Sequence, residues 1–453
     1  VAIPNIFNMK KYLFLIILFS LPINAIHAQF GSDSSFSNHF QVTVISQSHS
    51  GFNVPYAGRN SLTDSTEVGA SSVTSTLFFG KKLWKNAAFY FNPEVAGGAG
   101  LSYSVGIAGA LNGETYRIGN PQPKTSIARA YFQQNIPLRN TTYEDVEDDV
   151  NQVKDSRPTS RITICLGKFA ISDFYDKNNY SHDPRNQFFN WSLMSNGAWD
   201  YPANTKGYTF GVVIELIKPT WAMRFSTVAV PKMANQSGME YSITHAHSES
   251  FEIEKSWAIN KHPATARFLV TNTCSRAPSY LDGIKAVANN DTHLLNVFNG
   301  TEESNSFGGT KFGLGFSFNQ ELTNEIGVFA RAGWNDGKHA SWAFTEIDQT
   351  VSAGLSVKGT KWHRADDVCG IAGVINGISK DHRDFLAAGG NGFIIGDGAL
   401  NYGMEKIMET YYDIRLTKTL KLTADYQFVT NPAYNKDRKG PIHVFGIRGH
   451  VEF

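Results

Sequence analysis

Apolar and polar residues alternate with a period of two along most of this chain, in runs separated by Gly, Asn, Asp and Pro. Between Thr419 and Phe428, one parity holds Leu420, Leu422, Ala424, Tyr426 and Phe428, and the other holds Lys421, Thr423, Asp425 and Gln427. Met408, Thr410, Tyr412, Ile414 and Leu416 oppose Glu409, Tyr411, Asp413 and Arg415 in the same way. Further runs are Phe312, Leu314, Phe316 and Phe318; Tyr208, Phe210, Val212, Ile214 and Leu216; and Ile326, Val328, Ala330 and Ala332 against Glu325, Phe329 and Arg331. Successive strand side chains point to opposite faces, so each run predicts a strand with one apolar and one polar face. No convincing amphipathic helix is predicted between them.

Two architectures use such strands. A soluble sandwich turns the apolar face inward, whereas an outer-membrane barrel turns it to lipid and lines its lumen with the polar face. The connections are unequal: Lys218-Pro219-Thr220 is a tight turn, while Asn140–Arg161 and Asn235–Glu249 are long polar stretches. The last run, His443 to Phe453, puts Phe445, Ile447, Val451 and the terminal Phe453 on one face, with Val444, Arg448, His450 and Glu452 on the other. A terminal aromatic residue on an alternating strand resembles the assembly signal of bacterial outer-membrane barrels. The expected fold is therefore all-β, a transmembrane antiparallel barrel. Spanning strands take about 9–11 residues and bacterial barrels normally have even strand numbers. Fourteen, sixteen or eighteen strands satisfy that arithmetic.

The beginning of the sequence fits export. Met9-Lys10-Lys11, the apolar Tyr12–Leu21 and the small Ala28 before Gln29 have the order of a secretory signal. Residues 1–28 are read as a signal peptide, with 1–8 an over-extended start, and 29–453 as the barrel. Aromatic residues make up 13% of the chain, enough for two interfacial girdles, and charged residues only 18%. That profile excludes intrinsic disorder. The balance of 41 basic and 40 acidic residues excludes a nucleic-acid binder working through a basic surface. A bundle of membrane helices is excluded too, because only the leader approaches helix-spanning length. Cys165, Cys274 and Cys369 are about a hundred residues apart, which fits neither a zinc site nor a disulfide framework.

Several blocks then occur in the order of a known family. They are Gly167-Lys168-Phe169, Asp173-Phe174-Tyr175-Asp176, His182-Asp183-Pro184-Arg185 and Phe188-Phe189-Asn190-Trp191-Ser192. Later come Phe329-Ala330-Arg331-Ala332-Gly333-Trp334-Asn335-Asp336-Gly337, Gly396-Asp397-Gly398, Glu409-Thr410-Tyr411-Tyr412 and Asn431-Pro432-Ala433-Tyr434-Asn435. From about Phe78 to Phe453 the chain resembles the carbohydrate-selective porins of Gram-negative outer membranes. The resemblance implies a sixteen-stranded barrel, commonly monomeric, narrowed by inward loops and passing small sugars. Glu144–Asp155 and Asn235–Glu249 fall outside the matched blocks.

A sugar pore needs hydrogen-bond donors and acceptors for hydroxyls and aromatic faces for the pyranose ring, at a constriction whose lining sets selectivity. By strand parity Arg129, Tyr131, Gln133 and Asn135 face the lumen, with Ala128, Ala130, Phe132 and Ile136 toward lipid. The same test places Arg331, Glu325, Lys421, Asp425 and Arg448 inward, and Glu94 precedes the Gly-rich Ala96–Gly100. Asp176, Asp183, Arg185 and Trp191 are candidates for the constriction. The plainer reading is a turn built from Asp-Pro and Asn, with Trp191 as an interfacial anchor. Lumenal charges that merely solvate the wall are the corresponding plain reading for the strands.

Other motifs carry little chemistry. Gly389-Gly390-Asn391-Gly392 lacks the Lys and helix of a phosphate loop. His245 and His247 read as a solvated loop, and His363 with Asp366-Asp367 as an exposed one. The expectation is a passive diffusion channel for small carbohydrates. It is not an enzyme, takes no cofactor, and has outer-membrane lipid and the barrel assembly machinery as partners. The alternatives are a porin for ions or other small solutes, a barrel hydrolase of the outer-membrane phospholipase kind, and a plugged structural barrel.

Overall fold

The computed structural model describes residues 35–115 and 121–453; the leader expected at 1–28 lies outside the described residues. Sixteen antiparallel strands close on themselves. They are β1 (Phe36–His49), β2 (Glu67–Trp84), β3 (Ala87–Gly98), β4 (Lys124–Pro137), β5 (Arg161–Phe169), β6 (Thr209–Lys218), β7 (Trp221–Val228) and β8 (His247–Ile259), followed by β9 (His262–Ser275), β10 (Gly309–Glu321), β11 (Ile326–Asn335), β12 (Gln349–Gly359), β13 (Arg364–Gly377), β14 (Glu405–Arg415), β15 (Leu420–Thr430) and β16 (Ile442–Glu452). Each strand pairs with its sequence neighbours, and β16 returns to β1 from Gln41↔Glu452 to His49↔Val444. Phe40 and Phe453 extend that seam by exchanging two backbone hydrogen bonds, at 3.1 and 3.0 Å. Closure removes both sheet edges, which lipid would leave unpaired.

The barrel is apolar outside and polar inside. On β15 and β16, Leu422, Phe445 and Ile447 are exposed, whereas Thr423, Asp425, Gln427 and Arg448 are buried in the lumen. Connections after odd-numbered strands are long, and all but one of those after even-numbered strands span two to four residues. In outer-membrane barrels the short turns face the periplasm. Trp84, Trp257 and Trp362 are exposed beside that rim, where an interfacial ring belongs.

Parity fails in three informative places. Pro93 has no N–H to give the ladder, and a bulge opposite it shifts register so that Asn92 pairs Arg129 and Pro93 pairs Ile127. Ala128, expected to face lipid, is therefore fully buried while Ile127 is exposed. Tyr208 lies just before β6 and turns inward rather than following Phe210 outward. Glu325 sits in the turn 322–325, where its carboxylate accepts from Thr323, rather than on the lumen wall.

Helices also occur where none was expected. A single turn, α1 (Trp191–Met194), lies in the loop after β5; α2 (Tyr280–Asn289) and α3 (Thr292–Phe298) follow β9; and α4 (Lys380–Ala387) follows β13. Ser279, Asp291 and Ser379 cap the last three by accepting from backbone N–H groups of their first turns. Tyr280 stacks on His382 at 4.2 Å and Phe298 on Phe385 at 4.4 Å, so the helices stabilise one another in loops too polar to signal them. The three cysteines are free thiols. Asp367 is buried on β13, held by Arg364 and Tyr412, rather than exposed in a loop.

Candidate functional site: the lumen and its inward loops

Two long loops fill much of the lumen: L2, described over residues 99–115 and 121–123, and L3, residues 170–208. Inside a barrel their backbone N–H groups need partners, and the wall supplies them as carboxylates. Glu405 on β14 accepts from Ala108 N at 2.9 Å and Gly109 N at 2.7 Å in L2. Four residues along the same face, Glu409 accepts from Phe189 N and Asn190 N in L3. The two loops also join each other, through Trp191 N to Ala110 O and Gly113 N to Phe189 O, both at 2.8 Å.

Arginines on the same wall hold L3 by its carbonyls. Arg331 on β11 pairs with Asp176 at 2.9 Å and donates to Leu193 O at 2.8 Å. Arg448 on β16 donates to Pro184 O and Gln187 O, each at 2.7 Å, and to Thr423. Both guanidinium groups are almost wholly buried. Trp191, Tyr201 and Phe344 form a three-ring cluster, with centroids 5.5, 5.1 and 4.9 Å apart. It is core to the loop and lies neither at the lipid boundary nor on the cavity described next.

Across the lumen, L3, β3 to β7 and the loop 138–160 enclose a cavity of ≈ 860 Å³. Arg185 of L3 is its hub. The guanidinium meets Glu94 at 3.1 Å and Glu114 of L2 at 3.2 Å, and donates to Thr76 at 3.3 Å and Gln41 at 3.4 Å. Glu94 also accepts from the Tyr208 hydroxyl at 2.9 Å and from Thr76 at 2.8 Å. Beside it, Arg129 on β4 forms a bidentate pair with Asp173 of L3, both contacts at 2.6 Å. The Tyr208 ring lies 5.6 Å from that guanidinium carbon. A third pair, Arg224 to Glu215 at 2.8 Å, closes the β6–β7 side. Tyr131 faces the cavity and packs on Tyr90 at 5.1 Å between centroids.

Burial opposes ionisation of Asp173, but the charge and hydrogen bonds of Arg129 hold its carboxyl below the usual carboxylate range. Burial likewise opposes ionisation of Asp183; the Arg185 charge, with hydrogen bonds from Asn186 and the Arg185 N–H, lowers it in the same way.

Of the residues singled out from sequence, Arg129, Tyr131, Asp183 and Arg185 line this cavity together, and Glu94 stands directly behind Arg185. Asp176, Trp191, Arg331, Asp425 and Arg448 lie outside its lining, at the anchorage of L3 and on the opposite wall. Glu114, Asp173, Tyr208, Glu215 and Arg224 belong to the site but were not anticipated. Parity alone would have found Glu215 and Arg224 on their strands. Glu114 and Asp173 come from loops and carry no such signal.

Charge on the lining is balanced. Arg129, Arg157, Arg161, Arg185, Arg224 and Lys177 face Glu114, Asp149, Asp173, Asp183, Glu215 and Glu452, six cations against six carboxylates. Among the described residues no group of three His, Cys, Asp or Glu side chains is placed to hold a metal ion.

A family model for carbohydrate-selective porins, the OprB family, matches residues 81–453. The high-pH structure of Pseudomonas putida OprB is similar with a TM-score of 0.69 and 15% identity, covering 95% of this chain and 97% of that one. The low-pH structure of the same protein gives 0.51 and 11%, covering 96% and 97%. At these identities the likeness concerns the fold. No curated protein sequence matches the chain.

Proposed function

Because the chain belongs to the carbohydrate-selective porin family, we propose that it is a passive outer-membrane channel whose sugar station is the cavity around Arg185, Glu94, Arg129 and Asp173. The observation that carries this assignment is the pairing of the lumenal charges. The six cationic and six anionic side chains of the lining balance in number, with Glu94 behind Arg185 as one further carboxylate, so the surface gives ions of either sign little advantage. They present many fixed donors and acceptors at the same time. A neutral polyhydroxylated solute can donate to the outer carboxylate lone pairs and accept from the outer guanidinium N–H groups without breaking any pair. Tyr131 and Tyr208 border the same surface, with their rings packed on Tyr90 and beside Arg129.

Nothing in this scheme consumes energy, so flux follows the gradient. Residues 9–28 act as the export leader. Phe453, at the closing seam of β1 and β16, is the contact read by the barrel assembly machinery, and the barrel works as a monomer. The balanced lining argues against the ion-selective porin. Channels in a planar bilayer test the reading, with conductance recorded as glucose is added. A saturable fall in conductance is the expected result. Conductance indifferent to glucose and other small sugars would remove the sugar station, and a barrel that never conducts would return the plugged-barrel alternative.

A further inference from the structure

Six of the seven connections on the short-turn rim span two to four residues, but the seventh, 138–160 between β4 and β5, carries a hairpin of its own, Tyr143–Val146 paired with Asp155–Pro158. Its tip does not project into the periplasm. It folds back up into the lumen and docks on positions whose parity is lumenal. Val153 is 5% exposed, and its N–H points to the Tyr90 hydroxyl at 3.4 Å. Asn92 donates to Asn151 at 2.8 Å, and Lys82 pairs with Asp155 at 2.5 Å. The wall is shaped to receive the tip: a Cβ on Gly80 would stand 2.8 Å from the Val153 methyl.

Tyr90, Asn92 and Glu94 are successive lumenal positions of β3. At about 3.4 Å per residue, the hairpin stops about 7 Å short of the Glu94–Arg185 pair. The ≈ 860 Å³ cavity is thus a chamber with two ends. L3 supplies Arg185 and Asp173 at one; the hairpin supplies Asn151, Gln152 and Arg157 at the other. That volume lies in the range of small-molecule sites.

We infer that the hairpin 143–158 forms a second station for a neutral polyhydroxylated solute, at the periplasmic end of the lumen, so that solute crosses two binding sites in series. This rests on the sugar-channel reading given above. Its physical basis is that throughput needs binding strong enough to enter yet divided enough to leave, which two moderate sites achieve better than one tight site. With Gln152 donating to Glu147 O, Asn151 accepting from Asn92 and Arg157 paired with Glu144, the Gln152 amide oxygen, the Asn151 amide N–H groups and the outer Arg157 N–H groups are the hydroxyl partners this end offers.

The test replaces residues 142–159 by a two-residue Asn-Gly turn in the full-length chain and records single channels with glucose added to one side at a time. Loss of the hairpin is expected to raise ionic conductance about twofold or more and to weaken block by glucose from the short-turn side about threefold or more, leaving block from the long-loop side unchanged. Val153→Asp, which undocks the tip without shortening the chain, is expected to raise conductance in the same direction. Gln152→Ala, which leaves the docking contacts in place, is expected to weaken short-turn-side block alone. Conductance and two-sided block identical to the unaltered channel in the deletion and in Val153→Asp would overturn the proposal, as would weakened block from the long-loop side only. If the unaltered channel shows no glucose block from either side, the sugar-channel reading fails, and this second station fails with it. The conductance of the deletion still decides separately whether the hairpin narrows the pore.

Discussion

The lumen has two walls made of the same residue types with opposite employment. On the wall from β11 to β16, Arg331, Arg448, Glu405 and Glu409 are buried, and their hydrogen bonds go to the backbones of L2 and L3. On the wall from β3 to β7, Arg129 and Arg224 pair with carboxylates at the edge of an open cavity, and Arg185 meets Glu94 there. The first set positions the loops. The second is left for a solute. What separates them is how L3 meets each wall: on one side the wall's Arg and Glu hold its backbone, and on the other its own side chains Asp173 and Arg185 pair with Arg129 and Glu94 at the edge of the cavity.

Breaking the clamp wall should have the largest effect. Arg331→Ala leaves Asp176 buried without its ion pair, and removing one partner of a buried pair typically costs about 3–5 kcal/mol. The expected outcome is a loosened L3, seen as raised and noisier single-channel conductance, loss of sugar block and a lower unfolding temperature. Arg448→Ala should act in the same direction through the Pro184 and Gln187 carbonyls.

On the lining wall the order reverses: assembly survives and recognition suffers. Arg185→Ala leaves the buried Glu94 and Glu114 without their shared cation at the edge of the cavity. Sugar block should weaken about tenfold, consistent with losing a charge-assisted hydrogen bond of about 1.5–3 kcal/mol, and reversal potentials in a salt gradient should shift toward cation preference. A smaller effect is expected of Tyr208→Phe, which removes only the hydroxyl that donates to Glu94. Block should weaken by about threefold, because the hydroxyl acts on the solute only through Glu94, which Arg185 and Thr76 still hold.

The smallest effect is a null expected of pH. Asp173 and Asp183 are held below the usual carboxylate range by Arg129 and Arg185 against the opposing effect of burial. A depressed carboxyl contributes stability above its unfolded value of about 3.9 and loses it as pH falls through the lower folded value. Glucose block measured in a conductance series should therefore stay flat from about pH 8 to about pH 5, with weakening confined to stronger acid. A mid-range inflection would show that the pairs on the lining are weaker than their geometry implies.

The same two walls explain how much was legible in the chain. The barrel was legible because period-two alternation is written residue by residue, and burial follows it closely on β14, β15 and β16. Parity failed at Ala128, where a bulge opposite Pro93 changes the count, and at Tyr208, which precedes its strand. The site was only half legible for a different reason. Parity says that Arg331, Asp425 and Arg448 point inward, and they do; it cannot say which inward residues hold the L3 backbone and which pair with L3 side chains beside the cavity. Trp191 looked like a binding or interfacial residue by type, whereas packing in a cluster with Tyr201 and Phe344 makes it a loop core. Glu114 and Asp173 sit in loops without periodicity, and only the folded path of L2 and L3 brings them to Arg185 and Arg129.

The most direct test of the central claim, that the paired wall binds sugar while the opposite wall only holds the loops, compares Arg185→Ala with the unaltered channel. Both are reconstituted in planar bilayers and titrated with glucose in the same salt. The account predicts saturable block in the unaltered channel, block weakened about tenfold in the variant, and ionic conductance little changed between them. Equal block in the two channels would contradict it, because the hub of the lining would then have no part in holding the solute.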